Sequence, residues 1–305
     1  MQRRNACKLI ASAALVPGFL RNAAAADFTP RYVLASALYG DMSVDTVLAE
    51  VKKAGCESVD IWRKIHATQR EQIEEMGDDA FQELLKKHDV GLSVSTCYPL
   101  GAFQQDDEMR WVKKNGGSMT VSGSGNMGEK DPKGAEAKKQ VQAFFEKLKP
   151  HYELAEELGV TMAIENHANA MLSHPDSIRY FAELNPSKNV GIAFAPHHLS
   201  EHVDLIPTLI REIGNGQMPF IYFQEHHPST KTTMPKEEEL KQLPGRGSLD
   251  YVPILQAMKE IQFSGLAEIF MHPTPRGLPI LPSAAEITTV ISESRTYLDQ
   301  CLTKG

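Results

Sequence analysis

Four apolar runs in this 305-residue chain end in carboxylates and imidazoles. They read VTMAIENH (160–167), NVGIAFAPHH (189–198), PFIYFQEHH (219–227) and LAEIFMHP (266–273). Such groups side by side can move a proton in a reacting molecule or hold a divalent ion. Glu165 and Glu268 carry the strongest signal, because a carboxylate in an apolar run is costly to bury without a partner. The adjacent pair His197 and His198 leaves three readings open: metal ligand, substrate contact or no role. His202 and His227 read as surface residues.

Chemistry spread over four distant segments needs a scaffold that gathers it. From residue 31 onward, strand-length apolar runs alternate with helix-length amphipathic stretches. The expected strands are 31–39, 58–62, 90–98, 118–125, 160–167, 189–198, 219–227 and 266–273. The expected helices are 43–55, 70–88, 106–117, 133–159, 175–184, 203–214, 250–262 and 283–302. Eight strand–helix units predict a parallel sheet and, at this length, a closed (β/α)₈ TIM barrel. A doubly wound open sheet is the alternative, but no Gly-x-Gly-x-x-Gly follows the first strand. VSGSGNMG (121–128) lacks the lysine and spacing of a phosphate loop and reads as a flexible barrel loop.

Alternate residues of a barrel strand face the lumen. That parity groups Ala163, Glu165 and His167, then Tyr222, Gln224 and His226, then Leu266, Glu268, Phe270 and His272. Ala195 and His197 share one parity, and Pro196 can end the strand and free His198 to turn inward. All sit near strand C-termini, the face on which barrel active sites lie.

The first 26 residues have the form of an export leader. Arg3 and Arg4 form a charged head of twin-arginine type, an apolar segment follows, and Ala24-Ala25-Ala26 offers small residues for cleavage. The segment is short for a bilayer span and Pro17-Gly18 interrupts it, so no stable membrane anchor is expected after cleavage. Residues 27–305 then form the barrel domain, exported to a periplasmic or extracellular location. Removing Arg3, Arg4, Lys8 and Arg21 leaves 28 basic against 39 acidic residues, a net charge of −11. An acidic chain has no footprint for nucleic acid. Cys56, Cys97 and Cys301 remain, without CxxC spacing, and do not suggest a disulfide framework.

The stretches AIENHAN, VGIAFAPHHL and PGRGSLDYVPILQAMKEIQFSGLAEIF, in that order, resemble the xylose-isomerase-like TIM barrels. These are sugar and sugar-phosphate isomerases and epimerases, with endonuclease IV as a distant branch. The resemblance implies one divalent metal (Mn, Zn, Co, Mg or Fe) held by Glu, Asp, His and Glu from strands five to eight. Glu165 and Glu268 match the first and last of these ligands, but Ala195 stands at the Asp position and Gln224 at the His position. One expectation is that the polar layer has moved toward the barrel mouth. The ligands are then Glu165, Gln224, His226 and Glu268, with His197 or His198 also available. The other is a metal-free pocket whose histidines hydrogen-bond a sugar.

The resemblance further implies proton abstraction next to a carbonyl, with Glu165 and Glu268 as acid and base on opposite faces of a sugar or keto-sugar. His198 matches the family's substrate-contacting His, and His167, two residues beyond Glu165, is expected to contact substrate as well. Trp62 and Tyr98 are expected to stack on the ring, Arg246 or a neutral histidine to polarise the oxygen, and Arg246 or Arg276 to meet an anionic substrate or solvent. A lyase or hydrolase acting on an oxidised glycoside and a non-catalytic sugar-binding barrel are the alternatives. The partner expected is a small carbohydrate, with a second copy of the chain in a homodimer.

Overall fold

Every strand of this protein finds its hydrogen-bond partners in the strands before and after it, and the last returns to the first. The structure, a computed structural model, describes residues 28–125 and 127–304, so the expected leader lies outside the described residues. All pairings are parallel and run in sequence order around a closed barrel. The strands are β1 (Arg31–Ala35), β2 (Ser58–Trp62), β3 (Gly91–Thr96), β4 (Met119–Gly123), β5 (Thr161–Glu165), β6 (Val190–Phe194), β7 (Phe220–Phe223) and β8 (Leu266–Ile269). The helices of the outer layer are α1 (Val44–Val51), α2 (Gln69–Met76), α3 (Asp78–His88), α4 (Asp106–Lys114), α5 (Gly134–Leu158), α6 (Pro175–Leu184), α7 (Ile206–Ile213), α8 (Lys236–Glu239), α9 (Tyr251–Glu260) and α10 (Ala284–Thr303). No described helix is long and apolar enough to cross a membrane.

Local chemistry explains the boundaries. Ser43 caps α1 by accepting from the Thr46 amide, and Ser283 and Glu286 form a reciprocal capping box on α10. The α7 helix buries Ile206, Leu209, Ile210 and Ile213, a stripe of helical period, each worth roughly 1.5–3 kcal/mol against solvent. The α5 helix continues through Pro150 and stops at Gly159 in the left-handed region. The single helix expected over 70–88 is two: Gly77, at φ 83°, ends α2, and Asp78 and Asp79 open α3, where their charge suits the helix N-terminus.

Strands are shorter than the apolar runs suggested, because the chain turns at the C-terminal rim. Residues Ser36–Tyr39 and Pro196–His198 leave the sheet as 3₁₀ turns. This rim is where the polar ends of the runs collect.

One buried ion cluster ties the outer layer to the sheet. Glu108 of α4 accepts from Arg70 Nε at 2.8 Å, Arg63 Nη1 at 2.9 Å and Ser95 Oγ at 2.6 Å. It therefore links α2, β3 and the segment after β2. Glu108→Gln is expected to lower the unfolding free energy by about 3 kcal/mol, because two guanidiniums lose their buried counter-charge. Glu74, which pairs with both arginines, keeps the loss at that level. A urea midpoint equal to the parent's would contradict this account.

Candidate active site

Glu165 ends β5 and is 3% exposed. Its Oε2 has no hydrogen-bond partner, and its Oε1 lies 3.7 Å from His198 Nε2. Burial raises its pKa, opposed by His167 and the Tyr98 hydroxyl. The next residue fixes the neighbouring turn. Asn166 accepts from the Ala195 amide at 2.7 Å and donates to the Ala195 carbonyl at 3.0 Å. This clamp holds the end of β6 just where Pro196 starts the 3₁₀ turn that carries His197 and His198.

The histidines form a contiguous layer. The His198 ring lies 4.0 Å from those of both His167 and His197, centre to centre. His167 Nδ1 donates to the Ala168 carbonyl at 2.8 Å, which leaves Nε2 with the lone pair. His226 Nδ1 donates to the His197 carbonyl at 3.2 Å. Burial, then neighbouring imidazoles, push the pKa of His197 and of His198 well below the usual histidine range, so both rings are neutral. Both nitrogens of His197, and Nε2 of His198, are buried without partners.

Below this layer lies a second acidic group. Asp60 of β2 accepts from the Thr96 amide and hydroxyl, and it faces Glu268 of β8. Neither oxygen of Glu268 meets a donor. Two carboxylates have no donor between them unless one is protonated, and burial raises the affinity of both for a proton. Burial, then the neighbouring Asp60 charge, raise the pKa of Glu268 well above the usual carboxylate range. Trp62 seals the pair: the indole stacks on Phe270 with ring centres 4.5 Å apart and is 1% exposed. Tyr98 donates to Tyr222 at 3.4 Å across the same floor.

The β7 side is held by glutamines. Gln224 donates to Gln242 Oε1 at 2.9 Å, and Gln242 in turn receives the His272 amide and donates to the His272 carbonyl. Glu225 accepts from the Leu249 amide at 2.8 Å and so supports the GRGSL segment from below. A Cβ on Gly247 would come within 2.6 Å of the Glu225 carboxyl, so a side chain there would push Glu225 aside. On the other side, Arg276 donates to His66 Nε2 at 2.7 Å. Burial, then Arg276 and His167, lower the His66 pKa to about 3, so this ring is a neutral acceptor.

These groups surround a cavity of about 440 Å³ at the C-terminal mouth, a usual size for a small-molecule site. Its lining includes His167, His197, His198, His226, His272 and Arg276, with Asp131, Glu201 and Glu225 balancing Lys133 and Lys231. Of the residues expected at the substrate, His167 and His198 are there. Trp62 is not, because the aromatic floor covers it. Arg246 is not, because it pairs with Glu293 of α10 on the outer surface. Arg276 takes the place expected for a cation.

The metal position implied by the resemblance does not fit this chain. Ala195 offers no donor atom, Gln224 offers one neutral oxygen, and Glu268 is turned to Asp60. Among the described residues, the ligand atoms that lie within 4.8 Å of one another belong instead to Glu165, His167 and His198. His226 and Glu268, read from the sequence as ligands, are not in that group, and Gln224 is taken up by Gln242 and His272. Asp60, Asn166, Glu225 and Gln242 escaped the sequence reading. Asp60 carried the same signal as Glu165, a carboxylate in an apolar run. The other three gave none that separates them from surface polar residues.

A family model described as xylose isomerase-like TIM barrel matches residues 48–287. No curated relative matches the chain by sequence. Among solved structures, the apo form of 3-keto-D-glucoside 4-epimerase from E. coli is similar, with a TM-score of 0.66 at 12% identity over 90% of this chain and 100% of that one. D-psicose 3-epimerase with D-tagatose, from Clostridium cellulolyticum H10, gives 0.65 at 13% identity over 89% and 99%. The IOLI protein with a binding zinc atom gives 0.61 at 16% identity over 90% and 97%. At these identities the likeness is one of fold.

Glu225 generates a pH prediction. Burial, against several backbone donors, raises its pKa from 4.5 to about 7. The folded protein holds this proton more tightly than the unfolded chain does. Its contribution to stability is therefore full below pH 4.5 and declines as pH rises through about 7. Urea midpoints measured across that window should fall less in Glu225→Gln than in the parent; parallel curves would refute the assignment.

Proposed function

We propose a function on the premise that this chain belongs to the xylose isomerase-like TIM-barrel family. It is a sugar isomerase- or epimerase-like enzyme that removes a proton next to the carbonyl of a sugar or keto-sugar. The observation that carries this reading is Glu165: a buried carboxylate with one unpartnered oxygen, 3.7 Å from the neutral ring of His198, which lines the cavity. Burial raises its basicity, which suits a base that acts on a weak carbon acid. Arg276, fixed against His66, is the fixed cation at the cavity and faces the oxygen on which negative charge grows. Acidic and basic side chains balance around the cavity, which favours an uncharged sugar over a phosphorylated one. The D-psicose 3-epimerase and 3-keto-D-glucoside 4-epimerase folds lend the same direction.

A second reading has its own support. Glu268 faces Asp60, and burial with that neighbouring charge raises its affinity for a proton well above the usual carboxylate range, so it is not placed as a second base. One base suffices for elimination. Glu165 then takes the proton next to the keto group of an oxidised glycoside, and the oxygen beta to the carbonyl leaves with its bonding electrons and is protonated.

Both readings predict that the carbon beside the carbonyl exchanges its proton with solvent. The full chain, incubated in heavy water with a panel of ketohexoses and 3-keto-glucosides, should place deuterium there. Recovered epimer or isomer marks the first reading, and released alcohol the second. Glu165→Gln should lower turnover by roughly 10²- to 10⁴-fold with little change in KM. No exchange with any member of the panel would remove both readings and leave sugar binding.

A further inference from the structure

We propose that Glu165, His167 and His198 form a binding site for a divalent transition-metal ion of the zinc class, displaced from the family's metal position toward the barrel mouth. The ligand atoms of these three residues lie within 4.8 Å of one another. The one separation resolved between two of them, 3.7 Å from Glu165 Oε1 to His198 Nε2, is close to the edge of about 3.3–3.6 Å for a tetrahedron with bonds of about 2.0–2.2 Å. That pair needs to close by only a few tenths of an ångström to span an ion, and the other ligand atoms lie within 4.8 Å.

Three further features point to a cation. Glu165 Oε2 and His198 Nε2 are buried and lack any partner, a state that costs free energy unless something is bound there. His167 donates its Nδ1 proton to the Ala168 carbonyl, the arrangement by which proteins present the other nitrogen of a histidine to a metal. The turn that carries His198 is locked by the Asn166 clamp on Ala195, so the ring is held in place before any ion arrives. Two imidazoles and one carboxylate are the donor set of catalytic zinc sites and also of iron(II) sites with open positions. His167 and His198 both line the cavity, so the remaining coordination position faces a ligand entering from solvent.

The loss of the usual ligands becomes intelligible on this basis. Ala195 makes room at the old position, and Glu268 is turned to Asp60. The inference does not depend on the proposed reaction, because metal binding is read without turnover.

The test uses the full chain stripped with a chelator and titrated with Zn²⁺ by calorimetry, in parallel with Co²⁺ followed by its visible ligand-field bands. One equivalent should bind, and His167→Ala and His198→Ala should each weaken binding by at least ~10-fold and alter the cobalt spectrum. Gln224→Ala and Glu268→Gln, which change the family's usual positions, should bind zinc as the parent does. His167→Gln and His198→Gln replace any alanine variant whose circular dichroism departs from that of the parent. The proposal is overturned if the parent binds neither Zn²⁺, Co²⁺, Mn²⁺ nor Fe²⁺, if folded His167 and His198 variants bind undiminished, or if zinc is lost on changing Gln224.

Discussion

Three carboxylates, Asp60, Glu165 and Glu268, are buried in one barrel lumen, and the chemistry of the site follows from how each is neutralised. Among the described residues, none of the three forms an ion pair with lysine or arginine, and the His198 ring 3.7 Å from Glu165 is neutral. A bare carboxylate in such surroundings is costly, so a proton or a cation must stand in. Asp60 and Glu268 face each other under Trp62, and burial raises the proton affinity of both. Glu165 has no such companion: its Oε2 is unpartnered and its Oε1 lies 3.7 Å from His198 Nε2. The lumen thus divides into a closed lower pair and an open upper carboxylate.

The histidine layer owes its character to backbone carbonyls. The Ala168 and His197 carbonyls accept protons from His167 and His226 and so fix which nitrogen of each ring carries the lone pair. Crowding does the rest, since rings centred 4.0 Å apart in a buried layer cannot all be charged. The cavity is therefore rich in nitrogen acceptors and has its fixed positive charge at Arg276 and the lysines of the rim. Glutamine takes the place of stronger acids and bases on the β7 side, where Gln242 bonds at once to Gln224, Ser229 and both backbone groups of His272. That clamp makes His272 a rigid wall of the cavity.

Much of this architecture is legible in the chain itself. Alternating apolar runs and amphipathic stretches announce the eightfold barrel, because each strand must bury two faces and each helix one. Ser43, Ser283 and Gly159 mark helix ends through bonds made within a few residues. Glu165, His167 and His198 stand out as polar residues at the ends of apolar runs. Trp62 and Arg246 misled for a shared reason: each has a side chain long enough to reach a substrate, and each found a nearer partner, Phe270 and Glu293. Gly77 split a helix that the charge pattern alone would have continued.

The sequence by itself determined the fold, the face on which the chemistry gathers, and the fact that the family's usual ligand set is broken at Ala195 and Gln224. Those properties rest on periodicity and residue type, which are local. Only the tertiary structure decided that Glu268 belongs to Asp60 rather than to the cavity, that Asn166 holds the His198 turn, and that Arg276 rather than Arg246 faces the site. Each of these depends on side chains from strands or loops far apart in the chain meeting at one point. Barrel closure sets that meeting, and no stretch of sequence records it.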